Sequence, residues 1–461
     1  QTNKKSMKTL WIKAAVLSTV LASTAFYAQE TKMRDYLAPE KSTRNVFEDP
    51  KAEAPEYDGV KVVVGGDFAL QFQSLKHSTP TNLGNYTVIT TSTGAGPVTN
   101  TAVTKPNALV TMGSDFNLPT ANLDINAYLA KGVKMHLRTY LSARHHNEAW
   151  VKGGYIQIDN LDFISQGFLS GLMKNARVKI GMDEINYGDS HFRRTDNAEA
   201  INNPFVENNI MDSFTTQAFG EAYYYTNGFM GMLGVSNGKL NQSAVKGTSD
   251  NSPSVYAKLA FDKQVNPDLR VRLSGSVFRT NGLNTNGKLY GDDRGGSRYY
   301  YVLLTLADAM GTSNQATGRF NPGFQKMTAI QINPFVKYRG LEFFGTIENA
   351  SGNKLVSGKE NPDGNGNYTQ VAGELLYRFG GKEQFYLGTK YNSVSGKDSK
   401  NAVTRKIDRF NLAGGWFMTK NILAKVEYVN QKYNNSNVWG ATSALNGGKF
   451  NGLVFEATIG F

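Results

Sequence analysis

Leu453-Val454-Phe455-Glu456-Ala457-Thr458-Ile459-Gly460-Phe461 closes the chain. Leu453, Phe455, Ala457, Ile459 and Phe461 fall on one side of an extended segment, with Glu456 on the other. A repeat of two is the mark of a strand whose faces meet different surroundings. The same alternation recurs upstream. Val62, Val64, Phe68, Leu70 and Phe72 oppose Asp67, Gln71 and Gln73. Val133, Met135, Leu137 and Leu141 oppose Lys134, His136 and Arg138, and Leu269, Val271, Leu273 and Val277 oppose Arg270, Arg272, Ser274 and Ser276. Segments of about ten residues, parted by turn residues, continue to the end of the chain.

Composition narrows what such a sheet can be. The 461 residues hold 50 Lys+Arg, 38 Asp+Glu and 47 Gly, with 11% aromatic residues and no Cys. Absence of Cys excludes disulfide frameworks, thiolate metal sites and a Cys nucleophile. The formal charge of +12 alternates with apolar residues instead of clustering, which argues against a nucleic-acid partner. After Met7 come Lys8 and Lys13, then an uncharged apolar run from Ala14 to Ala28. Residues 1–28 therefore read as upstream residues and a secretory signal peptide, with cleavage near Ala25 or Ala28. Residues 29–58 are polar and broken by Pro39, Pro50 and Pro55, so a flexible periplasmic tail is expected, with a small plug as the alternative. No later stretch has the length of a transmembrane helix, which leaves a closed barrel or a soluble β-sandwich or propeller. Neither an internal repeat nor a helical domain supports the soluble folds. The terminal segment has the pattern of a closing outer-membrane strand. The expected fold is all-β: a transmembrane antiparallel β-barrel over residues 59–461, in the outer membrane of a Gram-negative bacterium.

Chain direction sets the strand count. Short turns at 265–268, 339–340, 380–383 and 419–421 alternate with long loops at 350–368, 394–405 and 433–450. This stays in phase only if 280–326 is one long outer loop, so that Tyr299 to Leu306 is not a barrel strand. Ala108 to Leu118 must likewise join the first loop or the strand after it. Sixteen strands are favoured and eighteen remain the alternative.

The polar strand faces would line the lumen. They carry Lys134, Arg138, Arg177, Lys179, Lys258, Arg270, Arg272, Lys337, Arg378, Lys390, Arg409 and Lys425. The acids there are Asp67, Asp124, Asp262, Glu342, Glu348, Glu374, Glu427 and Glu456. Lys134/Arg138, Arg177/Lys179 and Arg270/Arg272 have no acid beside them on the same strand face, so this basic wall is expected to attract anions. The stretch 187–216 is long for a plain connection and holds His191, Arg193 and Arg194. Folded inward, it would form a constriction whose guanidinium forks suit phosphate or carboxylate. Folded outward, its arginines would pair with Asp189, Asp196 or Glu199. The five His form no chelating or nucleophile pattern, and His145-His146 point to opposite faces of a strand, so no enzyme, metal or cofactor is expected.

Glu148-Ala149-Trp150-Val151, Val178-Lys179-Ile180-Gly181, Tyr187-Gly188, the long loop and Gly234-Val235-Ser236-Asn237-Gly238 follow one another in this order. Val336-Lys337-Tyr338, Glu342-Phe343-Phe344-Gly345 and Lys425-Val426-Glu427-Tyr428 extend the series. The series resembles the phosphate- and polyphosphate-selective porins of Gram-negative outer membranes. That resemblance implies a 16-stranded, usually trimeric barrel passing anions through a basic constriction. The expected function is a passive channel for small hydrophilic solutes, preferring anions and possibly phosphate. Its partners would be membrane lipid, small solutes and two further copies of the chain. The alternative is a non-conducting structural or partner-binding barrel, such as part of a secretion or surface-protein assembly.

Overall fold

The computed structural model describes residues 45–49, 51, 56–92, 99–116, 120–142, 150–194, 200–239, 252–282, 289–290, 300–309, 318–434 and 437–461. The expected signal peptide and the His145-His146 pair lie outside these residues. Sixteen antiparallel strands form the barrel. They are β1 Lys61–Ser78, β2 Thr120–Ala130, β3 Val133–Ser142, β4 Trp150–Ile158, β5 Ala176–Glu184, β6 Thr216–Thr226, β7 Phe229–Ser236 and β8 Ser254–Asn266. The second half is β9 Leu269–Thr280, β10 Lys326–Tyr338, β11 Leu341–Asn353, β12 Gly366–Phe379, β13 Phe385–Lys397, β14 Arg405–Thr419, β15 Ile422–Tyr433 and β16 Lys449–Gly460.

Closure falls to β1, which pairs through its lower half with β2 and from Asp67 to Ser78 with β16. Gly66 and Phe461 exchange two backbone hydrogen bonds of 3.0 and 3.1 Å. A Cβ on Gly66 would sit 2.6 Å from the Asn122 carbonyl oxygen and 2.9 Å from the Phe461 ring, so the seam needs glycine there. With the C-terminus periplasmic, eight loops (L1–L8) lie at the outer end and seven connections at the other. Asn227-Gly228 is a two-residue hairpin turn with both φ values positive (48° and 85°), the geometry that matches strand twist.

Among the described residues, neither segment that broke the alternation adds a transmembrane strand: from the second, only Asp115–Phe116 pairs, over two residues, with β1 at Phe72 and Gln73. Residues 300–305 belong to L5, and Leu109 in L1 forms an isolated bridge with Thr305. The barrel thus has sixteen strands, with all described transmembrane pairing antiparallel.

Exposure alternates along the strands as the sequence requires. Val62, Val64, Leu233, Leu259, Leu273, Leu453 and Phe455 are exposed outward, while Asp67, Lys134, Lys258, Asn392 and Glu456 are buried inward. Near the periplasmic ends of β12–β14, Phe379, Phe385 and Trp416 stack in a row at 5.6 and 6.0 Å. Exposed Tyr338 and Tyr377 extend this belt, which belongs at a membrane–water boundary. An apolar exterior, an aromatic belt and a sheet without a free edge make this an outer-membrane barrel.

Candidate functional site in the barrel lumen

Sixteen strands leave an interior wide enough for water unless it is filled. Here, Gln71, Asn392, Glu427 and Gln431 point inward and are each 0% exposed, so something covers them. Three segments do: L3 (residues 185–215), parts of L5, and residues 45–51 before β1.

L3 leaves β5, crosses the lumen and lies against β10–β15. A buried loop must find partners for its backbone polar groups, and side chains of the opposite wall supply them. Glu427 accepts from the Val206 N–H (2.8 Å), Asn392 from Ile210 (2.6 Å) and Gln370 from Met211 (2.8 Å). Lys425 donates to the carbonyls of Ala200, Asn203 and Phe205, and Arg409 to that of Asn208. At the near end, Gly188 has φ +69°, and a Cβ there would come 1.9 Å from the Gln331 side-chain oxygen. Glycine lets the loop turn against β10. Asp189 is fully buried, with Arg272 (2.8 Å) and Lys258 (2.7 Å) on its carboxylate and a hydrogen bond from Ser274 (2.7 Å).

Towards the outer end the lumen is apolar. Tyr187, Val206, Ile210 and Met211 from L3 pack with Tyr290, Tyr300, Val302 and Phe320 from L5, against inward-facing Val394, Ile407, Val429 and Phe450. Periodicity alone places no apolar surface there, because these residues sit on the face that elsewhere carries charge.

Residues 45–49 and Lys51 lie in the segment expected to be a flexible periplasmic tail, with a small plug as the alternative, and pack against the barrel wall. This strap runs across the periplasmic mouth from β11 to β5. Asn45 donates to Glu342 (3.0 Å). Phe47 lies 2% exposed among Phe192, Phe335 and Phe344, with ring centroids 6.1, 5.4 and 6.2 Å away. Glu48 pairs with Lys258 (2.9 Å) and Arg272 (2.8 Å). The Asp49 carboxylate pairs with Lys179 (3.2 Å) and its carbonyl accepts from Arg177 (2.8 Å). Lys51 pairs with Asp159 (3.0 Å) in the connection after β4. Burial opposes the charge of Asp159, but Arg177 and then Lys51 outweigh it and hold its carboxyl below the usual range. Burying the Phe47 side chain contributes about 1.5–3 kcal/mol, enough to seat a polar segment that its composition alone would leave in solvent.

The anticipated site residues fall into three places. Arg193 and Arg194 face the far wall. Arg193 pairs with Glu374 (3.2 Å) over the Phe344 ring, and Arg194 pairs with Asp212 over the Phe214 ring. Both line a void of only about 20 Å³ with Lys390 and Asn208. His191, Arg138 and Lys179 border a larger cavity of about 80 Å³ between L3 and β3–β6, which also contacts Asp183, Glu184, Glu221 and Tyr225. Lys134, Arg177, Arg270 and Arg272 lie at the strap level. A vestibule of about 560 Å³ opens below the strap. Cavity and vestibule share three residues, Glu48, Asp49 and Tyr225, so the strap is the partition between them.

The basic wall has no acids beside it on the same strand face, but acids from elsewhere meet it. Arg138 faces Asp124 directly across β2–β3, bonded at 2.7 Å. Arg177 pairs with Asp159 (2.8 Å), and Arg270 forks onto Asp262 (2.9 and 2.7 Å). These acids come from the adjacent strand, a connection, L3 or the strap, never from two residues along the same strand. Reading the chain one strand at a time hides them. Glu48, Asp49 and Phe47 were missed for a related reason: the single hint is an aromatic residue between Arg44 and Pro50 in an otherwise polar tail. Among the described residues, no group of His, Asp and Glu is arranged to hold a metal ion.

No protein-family model matches the chain, and no curated protein matches its sequence. Several solved outer-membrane structures are similar in shape. An anion-selective porin from Comamonas acidovorans aligns over 87% of this chain and 100% of its own, at 11% identity and a TM-score of 0.48. The outer membrane channel DcaP of Acinetobacter baumannii aligns over 89% and 100%, at 11% identity and 0.46. The trimer form of OmpT, an outer membrane protein of Vibrio cholerae, aligns over 88% and 100%, at 10% identity and 0.45. At this level of likeness they tell nothing about what this chain handles.

Proposed function

We propose that the chain is an outer-membrane channel for small hydrophilic solutes, held closed in this conformation by its strap. The observation that carries this reading is the shared partition: a charged internal cavity and a periplasmic vestibule meet at Glu48, Asp49 and Tyr225. L3 is pressed to one wall and leaves the β3–β6 side for the path, with His191, Arg138 and Lys179 on it. Arg193 and Arg194 hold L3 in place and do not form the filter themselves. Selectivity follows from the same pairing. Arg138, Arg177, Lys179, Lys258, Arg270 and Arg272 are each matched by a carboxylate, so the closed form has little to offer a free anion there, and phosphate must displace one of those carboxylates. Loss of Glu48 and Asp49 would uncover Lys179, Lys258 and Arg272, and anion preference belongs to that state. Trimerisation is supported by the exterior of β3–β5, where Leu137, Ile156, Val178 and Ile180 form an aliphatic face on short strands. This face contrasts with the aromatic belt of β12–β14 and is where copies would pack.

The second reading, a non-conducting barrel in a larger assembly, is favoured by the apolar packing of L3 with L5 in the outer half. Planar-bilayer recording under a KCl gradient separates the two. The channel reading expects small or rare openings from the wild type and larger, anion-selective ones from Phe47→Ala/Glu48→Gln. A variant that inserts and never conducts, together with another chain co-purifying, supports the assembly component.

A further inference from the structure

The strap is chemically a ligand in a site that the barrel builds. Three consecutive residues fill it. The Phe47 ring enters a cage of Phe192, Phe335 and Phe344, with the Arg272 guanidinium 4.5 Å from its centroid. Glu48 lands on Lys258 and Arg272, and Asp49 on Lys179. Apart from Phe192 in L3, every one of these contacts is made by a side chain of a rigid strand.

Take the strap away and the charges do not balance. Around the Glu48 position stand Lys258, Arg270 and Arg272 against Asp189 and Asp262, which leaves one positive charge over. Around the Asp49 position stand Arg177 and Lys179, with Asp159 on Arg177. An aromatic cage beside two cationic positions, largely withdrawn from water, selects one kind of guest: a ring joined through a short link to one or two carboxylates. The site is reached from the vestibule below and borders the cavity above.

We infer that this cradle is a solute-binding site for small aromatic carboxylates, including short acidic peptides with an aromatic residue, and that the strap is its tethered competitor. The inference deepens the channel reading by naming the class of solute, and it rests on that reading for the route the solute takes. A tethered occupant competes at a local concentration that is roughly millimolar. A guest therefore meets an occupied site in the wild type and an available one when the strap is weakened.

The test uses the full-length chain in detergent and the fluorescence anisotropy of a dye-labelled Phe-Glu-Asp peptide amide. Phe47→Ala/Glu48→Gln/Asp49→Asn is expected to bind the peptide about tenfold tighter than the wild type or better. Adding Arg272→Gln in that background should cost about tenfold, as loss of a charge-assisted contact does. A Phe-Gln-Asn peptide should not bind. The single variant Glu48→Gln, expected to give a smaller gain in the same direction, serves if the triple variant does not fold. Equal binding by wild type and folded variants, or equal binding of the two peptides, overturns the inference. Because anisotropy needs no current, a protein that binds the peptide and never conducts sinks the channel reading and leaves the site standing.

Discussion

Glu48 in the strap and Asp189 in L3 share the same two cations. Lys258 lies 2.9 Å from the first and 2.7 Å from the second, and Arg272 lies 2.8 Å from each. One buried cluster therefore joins the inward loop, the wall strands β8 and β9, and the segment that shuts the periplasmic mouth. A buried charge left without its partner is far costlier than the intact pair is favourable.

Asp189→Asn leaves Lys258 with Glu48, and Arg272 with Glu48 and Asp262, and should destabilise the barrel by about 3–5 kcal/mol. Glu48→Gln should cost less, because Asp189 remains on both cations. Urea unfolding in detergent, followed by tryptophan fluorescence, ranks the two. The opposite ranking would mean that L3 is not anchored through Asp189.

Gly188→Ala places a methyl group where the Gln331 side chain stands and asks a residue other than glycine to hold φ +69°. The expected result is an L3 displaced from β10, with a stability loss of about 1–3 kcal/mol and a changed single-channel conductance. Gly167→Ala, with no atom within 4 Å of the added Cβ, is the control for the conformational cost alone.

Facing residues should separate selectivity from lipid contact. Arg270→Glu reverses a charge at the level of the strap, beside Asp262, and should move the zero-current potential towards cations. Leu273→Ala, on the exposed outer face of the same strand, should leave it unchanged. Equal shifts would mean that the strand faces are assigned wrongly.

The strap's contact to Asp159 should be lost only in acid. The folded pKa of Asp159 lies below its ordinary 3.8. Its contribution is complete above 3.8 and disappears as pH falls through the lower, folded value. Because the chain has no Cys, Val46→Cys gives a single thiol in the strap. Labelling of the closed protein, corrected for thiol ionisation with an exposed Glu56→Cys control, should stay slow from pH 7 to 5 and accelerate below 3.8. In Asp159→Asn, Lys51 and Arg177 lose their carboxylate partner, and labelling should be faster at neutral pH than in the wild type.

Gly66→Val should block closure of the seam, since its Cβ alone meets the Asn122 carbonyl and the Phe461 ring. The heat-sensitive, fast-migrating band of a folded barrel on a cold gel should be lost or weakened. A normal band would show that β1, β2 and β16 can shift to admit the side chain.

Much of this architecture is written in local pattern. Alternation in segments such as Leu453–Phe461 settles which side chains meet lipid, because a strand repeats every two residues and a one-residue slip would expose every charge. The alternation of short turns and long loops favours sixteen strands over eighteen, since each turn reverses direction, and the closed sheet decides for sixteen. What Phe47, Glu48 and Asp189 do was decided only by tertiary structure. Their partners lie on other strands or in L3, far along the chain, and composition describes a segment only as it behaves alone. The tail around Phe47 is too polar to bury itself, yet the barrel supplies three phenylalanines and four cations at the distances its side chains need. The acids that neutralise Arg138 and Arg272 were hidden in the same way: Asp124 stands across the β2–β3 hairpin and Asp189 on the inward loop, and only strand pairing and the inward fold of L3 bring them to the bases.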